Sequence, residues 1–326
     1  MTDAGADERA MRRAIELAAS VRGATSPNPW VGSVIEPGGF EGATAPPGGP
    51  HAEVAALAAA GDRAAGATLY TTLEPCSHHG RTPPCVDAIV AAGVARVVVG
   101  MADPDPHVQG AGLRALRAAG VQVDVGVCEE EVREQLRPYV KHRTTGRPWV
   151  VLKLAASLDG RTAAPDGTSR WITGEAARAD GHRLRSQSDA VIVGAGTVRA
   201  DDPALTVRQA TGRDPLRVVL GRAPEGARMH PALEMEGDLG QILDHLGRRG
   251  VVQAMVEGGA TVAGDFHRAG LVDRYVVYLA PALFGGDDGR PLFAGPGAAT
   301  IAEVWRGRIV SVDRVGDDLR VECSPA

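Results

Sequence analysis

The chain has 326 residues, which is about two domains at ~150 residues each. Hydrophobic residues make up 44% and charged residues 23%, as in ordinary globular proteins, so a disordered or fibrous chain is excluded. The net charge is −5 with no basic block, which argues against nucleic acid as a partner, and no apolar run reaches the ~20 residues needed to span a membrane. The acidic amino terminus lacks the apolar core of a signal peptide, so we expect a cytoplasmic protein.

Helical and strand patterns alternate through the first half of the chain. Strands that alternate with helices favour an α/β fold with parallel strands and helices on both faces of the sheet. The stretch 36–50 is expected to be a loop because it contains PGG, PPGG and GP steps. The patterns predict helices over 8–22, 51–60, 84–92 and 109–119, and strands over 30–35, 67–73, 95–100 and 121–126.

A basic, polar helix end at 137–148 interrupts this alternation, and the α/β pattern then resumes. No sequence repeat relates the two halves, so we predict two different α/β domains, 1–145 and 146–326. In the second half, the patterns predict helices over 174–187, 238–247 and 260–269, and strands over 149–157, 189–194, 216–220, 251–256, 274–284, 307–315 and 319–323.

Four residues of the first half have the pattern of a catalytic zinc centre. His51 and Glu53 lie at the start of a predicted helix, Cys76 follows a predicted strand, and Cys85 begins the next helix. One imidazole and two thiolates fill three of the four tetrahedral positions of zinc and leave the fourth for water. Glu53 is placed to carry the protons of that water without being needed as a ligand. The pattern therefore predicts one Zn²⁺ per chain, held by His51, Cys76 and Cys85.

Each part of this pattern also has a simpler explanation. An H-x-E on a helix, or two cysteines nine positions apart, arises often by chance. Their combination in this order, with a proline before each cysteine, favours zinc. Zinc deaminases of nucleobases carry H-x-E followed by P-C-x-x-C, whereas here the longer loop CSHHGRTPPC separates Cys76 from Cys85. Cys128 and Cys323 are isolated, and four cysteines in a cytoplasmic chain do not indicate disulfides.

The second half shows its chemistry less directly. It lacks the G-x-G-x-x-G of dinucleotide-binding folds, but GAGT (194–197) and EGGAT (257–261) each follow a strand and could hold a phosphate at a helix start. Glycine pairs are also common in plain α/β turns. Lys153 is one of two lysines among 35 basic residues and lies in an apolar strand, which suggests a pocket that needs a compact ammonium. The alternative is a side chain that extends to solvent.

Longer motifs resemble one family. TSPNPWVG (25–32), HAE (51–53) and TLEPCSHHGRTPPC (72–85) resemble the deaminase domain of the bifunctional riboflavin-biosynthesis deaminase/reductases. The resemblance covers essentially the whole chain. The motifs that match the reductase domain in order and spacing are KLAASLDGRTA (153–163), SRWITG (169–174), VRADDPALTVR (198–208) and VEGGATVAG (256–264).

The resemblance implies a fold and two reactions. The fold is an amino-terminal cytidine-deaminase-like three-layer domain followed by a dihydrofolate-reductase-like domain. The reactions are hydrolytic deamination of 2,5-diamino-6-(5-phosphoribosylamino)pyrimidinone by zinc hydroxide, and then NADPH reduction of the ribosyl group of the aminouracil product to ribityl. It further implies small-molecule phosphoribosyl pyrimidine substrates and a homo-oligomer, either a dimer or a tetramer.

The same resemblance assigns site residues. In the deaminase, His51, Cys76 and Cys85 would hold zinc, Glu53 would be the proton shuttle, and Asn28 and His79 would contact substrate. Asn28 could instead be a plain turn residue, and Asp201 with Asp202 a capping pair. In the reductase, the cofactor contacts would be Ala155, Trp171, Thr197, Asp201, Gly258, Gly259, Ala260 and Thr261. The substrate contacts would be Ser169, Arg185, Leu205, Arg208 and Glu257. Lys153 is added to them on the strength of its residue type and position alone.

Two departures from the family and three rival functions stay open at this point. The stretch 37–50 is expected to lack the usual strand and turn, and the stretch before strand 251–256 is expected to lack a strand–loop unit of the cofactor pocket. The rivals are a deaminase with an inactive second domain, a nucleic-acid deaminase, and a zinc-stabilised binding module without catalysis. The acidic balance and the absence of a basic run weigh against the second rival.

Overall fold

The computed structural model describes residues 4–80, 82–106 and 108–326. It divides into two compact units, Met1–Gly146 and Arg147–Ala326. Both units are mixed α/β, as the alternating patterns predict. Within the described ranges, no helix is long and apolar enough to cross a membrane.

The first unit contains a five-stranded sheet between two layers of helices. The strand order is β2-β1-β3-β4-β5, and β3, β4 and β5 are parallel. Apolar residues of α2, α3 and α4 pack on one face of the sheet, and those of α1 and α5 on the other. The strands are β1 (Gly32–Glu36), β2 (Phe40–Ala43), β3 (Thr68–Leu73), β4 (Arg96–Met101) and β5 (Gln122–Val125). The helices are α1 (Ala4–Ser20), α2 (Ala52–Ala60), α3 (Cys85–Ala91), α4 (Ala111–Ala118), α5 (Glu129–Gln135) and α6 (Arg137–Thr145), with a 3-10 turn at Gly61–Ala64.

The prediction of a loop over 36–50 was wrong in part, because β2 lies within it. Gly38 and Gly39, both with positive φ, form a turn that closes an antiparallel hairpin between β1 and β2. The glycine- and proline-rich composition correctly predicted the turn, but the four residues of β2 gave no recognisable strand pattern. The expectation that this stretch lacks a strand and turn was therefore also wrong. Since β1 is antiparallel to both neighbours, the sheet is mixed and not wholly parallel.

The hairpin positions the helix that carries two of the predicted zinc-site residues. A Cβ atom on Gly42 of β2 would lie 2.2 Å from the carbonyl oxygen of Ala52 and 2.4 Å from the nitrogen of Ala56. The backbone of α2 therefore packs directly against β2, with no room for a side chain between them. This contact fixes the start of α2 relative to the sheet. His51 directly precedes α2, and Glu53 lies in its first turn.

The second unit contains an eight-stranded sheet in the order β10-β9-β8-β11-β6-β12-β15-β14. The first six strands in this order are parallel, and β15 and β14 continue the sheet antiparallel. The strands are β6 (Trp149–Ser157), β7 (Arg161–Ala163), β8 (Ala190–Gly194), β9 (Leu216–Leu220), β10 (Leu233–Met235), β11 (Gln253–Val256), β12 (Arg274–Ala280), β13 (Arg290–Pro291), β14 (Gly307–Val315) and β15 (Asp318–Pro325). The helices are α7 (Glu175–Ser186), α8 (Ala195–Asp201), α9 (Leu239–Arg248) and α10 (Ala260–Arg268).

The parallel arrangement places the carboxyl ends of six strands along one edge of the sheet. Helices α9 and α10 pack on one face and α7 and α8 on the other. Ligands of open α/β sheets bind in the crevice at this edge. The strand β10 lies between β9 and β11 in the chain and pairs in parallel with β9. The expected loss of a strand–loop unit relative to similar proteins concerns the stretch between β10 and β11, and it stays a prediction. With three residues, β10 is too short to produce a recognisable periodic pattern.

Candidate active sites

His51, Cys76 and Cys85 converge in the first unit. His51 directly precedes α2, Cys76 lies in the loop after β3, and Cys85 is the first residue of α3. The Nδ1 atom of His51 lies 3.6 Å from the sulfur of Cys76 and 3.3 Å from that of Cys85. Two atoms bound to one tetrahedral zinc at ~2.0–2.3 Å lie about 3.5 Å apart. One nitrogen and two sulfurs at these separations fit a zinc ion.

The local backbone favours a thiolate at Cys76. Its sulfur accepts a hydrogen bond from the backbone N–H of Cys85 at 3.3 Å. Hydrogen bonding from the Cys85 thiol and from His51 lowers the pKa of Cys76 to about 4. Hydrogen bonding to Cys76, together with burial, raises the pKa of Cys85. A thiolate is the form that binds metal, so Cys76 is already prepared for that role at neutral pH.

Glu53 lies in the first turn of α2, two residues after His51. Its side chain is buried, with 4% of the residue exposed. Burial raises the pKa of Glu53 to about 7. A carboxyl group with a pKa near the working pH can both accept and release a proton, which is the requirement for a general acid/base. The structure therefore places a suitable proton carrier beside the three zinc-ligand atoms.

A pocket of about 260 Å³ opens onto His51 and Cys76. Asn28, His51, Cys76, His78 and Thr82 are among its lining residues. The turn that carries Asn28 is closed by a hydrogen bond from its backbone N–H to the carbonyl of Thr25 at 2.9 Å. This bond fixes the backbone of Asn28 at the pocket wall.

His78 and His79 take different positions in the loop after Cys76. His78 lines the pocket, although its neighbour is the one the family motif indicates. His79 is exposed and is not among the lining residues.

The second unit contains a cavity of about 1940 Å³ along the carboxyl edge of its parallel strands. Ligand pockets for single small molecules are typically ~300–1,000 Å³, so this cavity has room for a dinucleotide and a substrate together. Every residue predicted for the reductase site lines it. These residues are Lys153, Ala155, Ser169, Trp171, Arg185, Thr197, Asp201, Leu205, Arg208, Glu257, Gly258, Gly259, Ala260 and Thr261.

Two glycine-containing turns form the part of this cavity suited to a pyrophosphate. GAGT follows β8 and opens α8, and EGGAT follows β11 and opens α10, with Gly259 as its N-cap. The backbone N–H of Gly259 donates to the Thr197 hydroxyl at 3.1 Å, which joins the two turns. Free N–H groups at the start of a helix bind anions. A Cβ atom on Gly196 would meet nothing within 4 Å, so the cavity is open at this residue. These residues fit a dinucleotide.

A partly buried ion triad lies on the β6 side of the cavity. Glu257 accepts from Arg185 at 2.7 Å and lies 3.4 Å from the Lys153 ammonium. Burial alone would raise the pKa of Glu257, but Lys153 and Arg185 outweigh it and hold that pKa below its usual value. Lys153 points into the cavity and its ammonium is 5.8 Å from the centre of the Tyr278 ring. The alternative of a lysine extending to solvent is not what the structure shows.

Trp171 lines the cavity, and two arginine side chains lie near its ring. The ring is 70% exposed, and the guanidinium of Arg178 lies 4.5 Å from its centre. Arg170 lies on the ring at 5.8 Å and also donates to the backbone carbonyl of Asp201 at 2.6 Å. Asp202 also lines the cavity, and its carboxylate accepts a hydrogen bond from the backbone N–H of Arg228 at 2.8 Å.

His182 and Arg178 line the cavity and were missed by the sequence analysis. The ring nitrogen Nδ1 of His182 accepts from the backbone N–H of Arg208 at 3.3 Å. Burial and the neighbouring arginines lower the pKa of His182, so its ring is neutral and available as that acceptor. The positions 178, 182 and 185 share one face of a helix. That spacing, applied to the predicted Arg185, could have identified both residues.

Comparisons with known protein families agree with the two units. The family model of the cytidine and deoxycytidylate deaminase zinc-binding region matches residues 4–101. The model of the RibD C-terminal domain matches residues 148–321. The first match includes all three zinc-ligand residues and Glu53, and the second includes the whole cavity of the second unit.

Similar proteins match along the full length. The Escherichia coli K12 riboflavin biosynthesis protein RibD is 41% identical over 359 residues, which cover 96% of this chain and 98% of that protein. The solved structure of Acinetobacter baumannii RibD is 38% identical with a TM-score of 0.93, covering 99% of this chain and 100% of that one. A Thermotoga maritima structure, described as a diaminohydroxyphosphoribosylaminopyrimidine deaminase/5-amino-6-(5-phosphoribosylamino)uracil reductase, is 36% identical with a TM-score of 0.90 and covers all of both chains.

Proposed function

The chain belongs to the RibD family of riboflavin-biosynthesis enzymes, and we propose that residues 1–145 catalyse the deamination and residues 146–326 the reduction. The chain is a zinc-dependent pyrimidine deaminase and an NADPH-dependent reductase. It deaminates 2,5-diamino-6-(5-phosphoribosylamino)pyrimidinone and reduces the ribosyl group of the resulting aminouracil to ribityl. The family match over 148–321 favours this function over a deaminase with an inactive second domain.

In the proposed deaminase site, His51, Cys76 and Cys85 hold zinc. Zinc bound there lowers the pKa of a water ligand toward ~7 and so supplies a nucleophile at neutral pH. Glu53 takes a proton from the attacking water and delivers it to the departing amino nitrogen, which leaves as ammonia. Asn28 holds an edge of the pyrimidine ring by its amide. His79 remains a proposed substrate contact, although it is exposed in the described structure.

In the proposed reductase site, the protein acts mainly by placing two molecules against each other. NADPH supplies the hydride. The turns after β8 and β11 hold its pyrophosphate, and the arginine side chains bind the substrate phosphate, for which a guanidinium is well shaped. The proposed cofactor contacts are Ala155, Trp171, Thr197, Asp201, Gly258, Gly259, Ala260 and Thr261. The proposed substrate contacts are Lys153, Ser169, Arg185, Leu205, Arg208 and Glu257.

The convergence of His51, Cys76 and Cys85 beside buried Glu53 carries the deaminase assignment. The test is to incubate the purified protein with the diaminopyrimidine substrate, with and without NADPH, while ammonia and cofactor absorbance are followed. We expect ammonia in both incubations and NADPH oxidation only after ammonia release has begun. Ammonia release without any NADPH oxidation would contradict the assignment of the second cavity.

We further propose a homo-oligomer, a dimer or tetramer, joined at the exposed edge strand β14. An exposed, apolar sheet edge is usually covered in a native protein. Ile309 is 63% and Val312 55% exposed on this strand. An antiparallel pair of β14 strands from two copies that sets Ile309 opposite Val312 also sets Arg308 opposite Asp313, so the edge is self-complementary in charge. Sedimentation of wild-type protein and of Ile309→Lys tests this, and a wild-type monomer would contradict it.

We also propose that the protein works in the cytoplasm. All four cysteines are free, and two of them are the proposed zinc ligands, which a reducing compartment preserves. Fractionation of cells that express the chain tests this proposal.

A further inference from the structure

Glu74 is a buried carboxylate that the proposed chemistry does not use. It directly follows β3 and precedes Cys76 by two residues, with 4% of the residue exposed. Its two oxygens accept from four backbone N–H groups. The donors are Asp103 at 3.1 Å and Gly110 at 3.0 Å on one oxygen, and Gly112 at 2.9 Å and Leu113 at 3.4 Å on the other.

These bonds make Glu74 the cap of a helix in another part of the chain. Gly110 is the N-cap residue of α4 and has no side chain to accept from the first turn. The N–H groups of that turn have no partner within the helix and carry its partial positive charge. A carboxylate placed there forms charge-assisted hydrogen bonds, which compensate for the burial of its charge. Glu74 thereby ties the end of β3 to the start of α4.

The tie extends to the residue beside Cys76. A Cβ atom on Gly112 would lie 2.0 Å from the carbonyl oxygen of Pro75, so the first turn of α4 packs directly against the Pro75 peptide. On the other side, the carbonyl of Cys76 accepts from the N–H of Val86 at 3.2 Å. The zinc-ligand loop is thus held by α4 before Cys76 and by α3 after it.

We propose that Glu74 is a positioning residue of the deaminase, which fixes the Cys76 sulfur at the zinc site through Pro75. Both of its oxygens are occupied by backbone donors, so it neither binds the metal nor carries protons, in contrast to Glu53. The proposal rests on the zinc site proposed above. Replacing a group that orients a metal ligand without binding the metal itself typically changes metal affinity about 10–100-fold.

The test compares Glu74→Gln with Asp7→Asn in the full-length protein. An amide cannot accept from all four N–H groups, so we expect Glu74→Gln to weaken zinc binding about 10- to 100-fold and to shift the visible absorption of the cobalt-substituted protein. Reductase turnover, assayed directly with the aminouracil substrate, should stay at the wild-type rate. Asp7 is the matched control: it is a buried carboxylate of the same unit, bonded to Arg96 and Tyr70 and not to the zinc-ligand loop. We expect Asp7→Asn to lower the Tm and leave zinc affinity and the cobalt spectrum unchanged.

A second variant strains the same contact without removing a charge. Gly112→Ala places a methyl group against the Pro75 carbonyl, and we expect it to weaken zinc binding as Glu74→Gln does. If Glu74→Gln does not fold, the zinc affinity of Gly112→Ala is the test of the proposal. Zinc affinity within twofold of wild type in the folded variant would overturn the proposal. An equal loss of affinity in Asp7→Asn would also overturn it, because the effect would then be general destabilisation. If wild-type protein itself binds no stoichiometric zinc, the zinc site fails, which is a different result.

Discussion

The pocket of the first unit encloses about 260 Å³ and depends on a few side chains of special chemistry, whereas the cavity of the second encloses about 1940 Å³ and is lined largely by turns and helix starts. Hydrolytic deamination needs an activated water and a proton carrier, and only certain side chains provide these. Hydride transfer from a bound cofactor needs mainly correct placement, which many residues share. We therefore expect single changes to abolish the first reaction but only to weaken the second.

Removal of zinc should have the largest effect and should separate the two units completely. Since water is not activated without the metal, dialysis against a chelator is expected to abolish ammonia release. Reductase turnover on the aminouracil substrate should persist, because the second cavity lies within Arg147–Ala326 and has no part in the zinc site. Ammonia release and NADPH oxidation, assayed before and after zinc is restored, check this. Equal loss of both activities would contradict the separation.

Glu53→Gln should have the second-largest effect on ammonia release. The amide cannot carry protons, and loss of a general acid/base typically costs 10²–10⁴-fold in rate. We expect a decrease of about 10²- to 10⁴-fold in ammonia release, with zinc content unchanged by metal analysis. Reductase turnover serves as the control within the same preparation. Ammonia release within tenfold of wild type would rule out Glu53 as the proton carrier.

Lys153→Arg tests the second cavity at the ion triad of Lys153, Arg185 and Glu257. The larger guanidinium cannot occupy the place of the ammonium between Glu257 and the Tyr278 ring without moving them. We expect kcat/KM of the reductase to fall on the order of tenfold, or about 1.4 kcal/mol, with ammonia release unchanged. Lys141→Arg, at the other lysine of the chain, is the control. A larger loss than that of Glu53→Gln would overturn the contrast between the two sites.

Arg178→Ala should have the smallest effect. It removes the guanidinium that lies 4.5 Å from the Trp171 ring. An exposed cation–π contact contributes ~0.5–1 kcal/mol, so we expect the KM for NADPH to rise about 2- to 5-fold with little change in kcat. Arg183→Ala, an exposed arginine of the same helix that pairs with Asp180, is the control. An unchanged KM for NADPH would mean that the ring needs no support from Arg178.

The zinc site could be predicted from the sequence because its chemistry restricts the residue types to a few. His51, Cys76 and Cys85 are recognisable even when the loop between the cysteines is unusually long. In the reductase site, Lys153 and the two glycine-containing turns were candidates from the sequence alone, and the other residues came from resemblance, because their types are not restricted by the chemistry. Most helices and strands followed from periodicity. The exceptions were short: the strands β2, β7, β10 and β13 and the helices α5 and α8.

Glu74 shows why the rest could not be predicted. Its partners are backbone N–H groups that follow it by 29–39 positions along the chain. Any residue at the donor position presents the same N–H group, so no pairing of side-chain types marks these contacts. Only the folded chain brings the two ends of such a bond together.

The close contact between β2 and α2 has a consequence for how this enzyme can vary. Any side chain at position 42 would collide with the backbone at Ala52 and Ala56. In a mutational scan selected on growth without added riboflavin, we expect alanine at Gly42 to be depleted as strongly as substitutions of His51. Position 42 would then look catalytic in a table of fitness values, although it carries no chemistry and acts only through the space that it leaves empty.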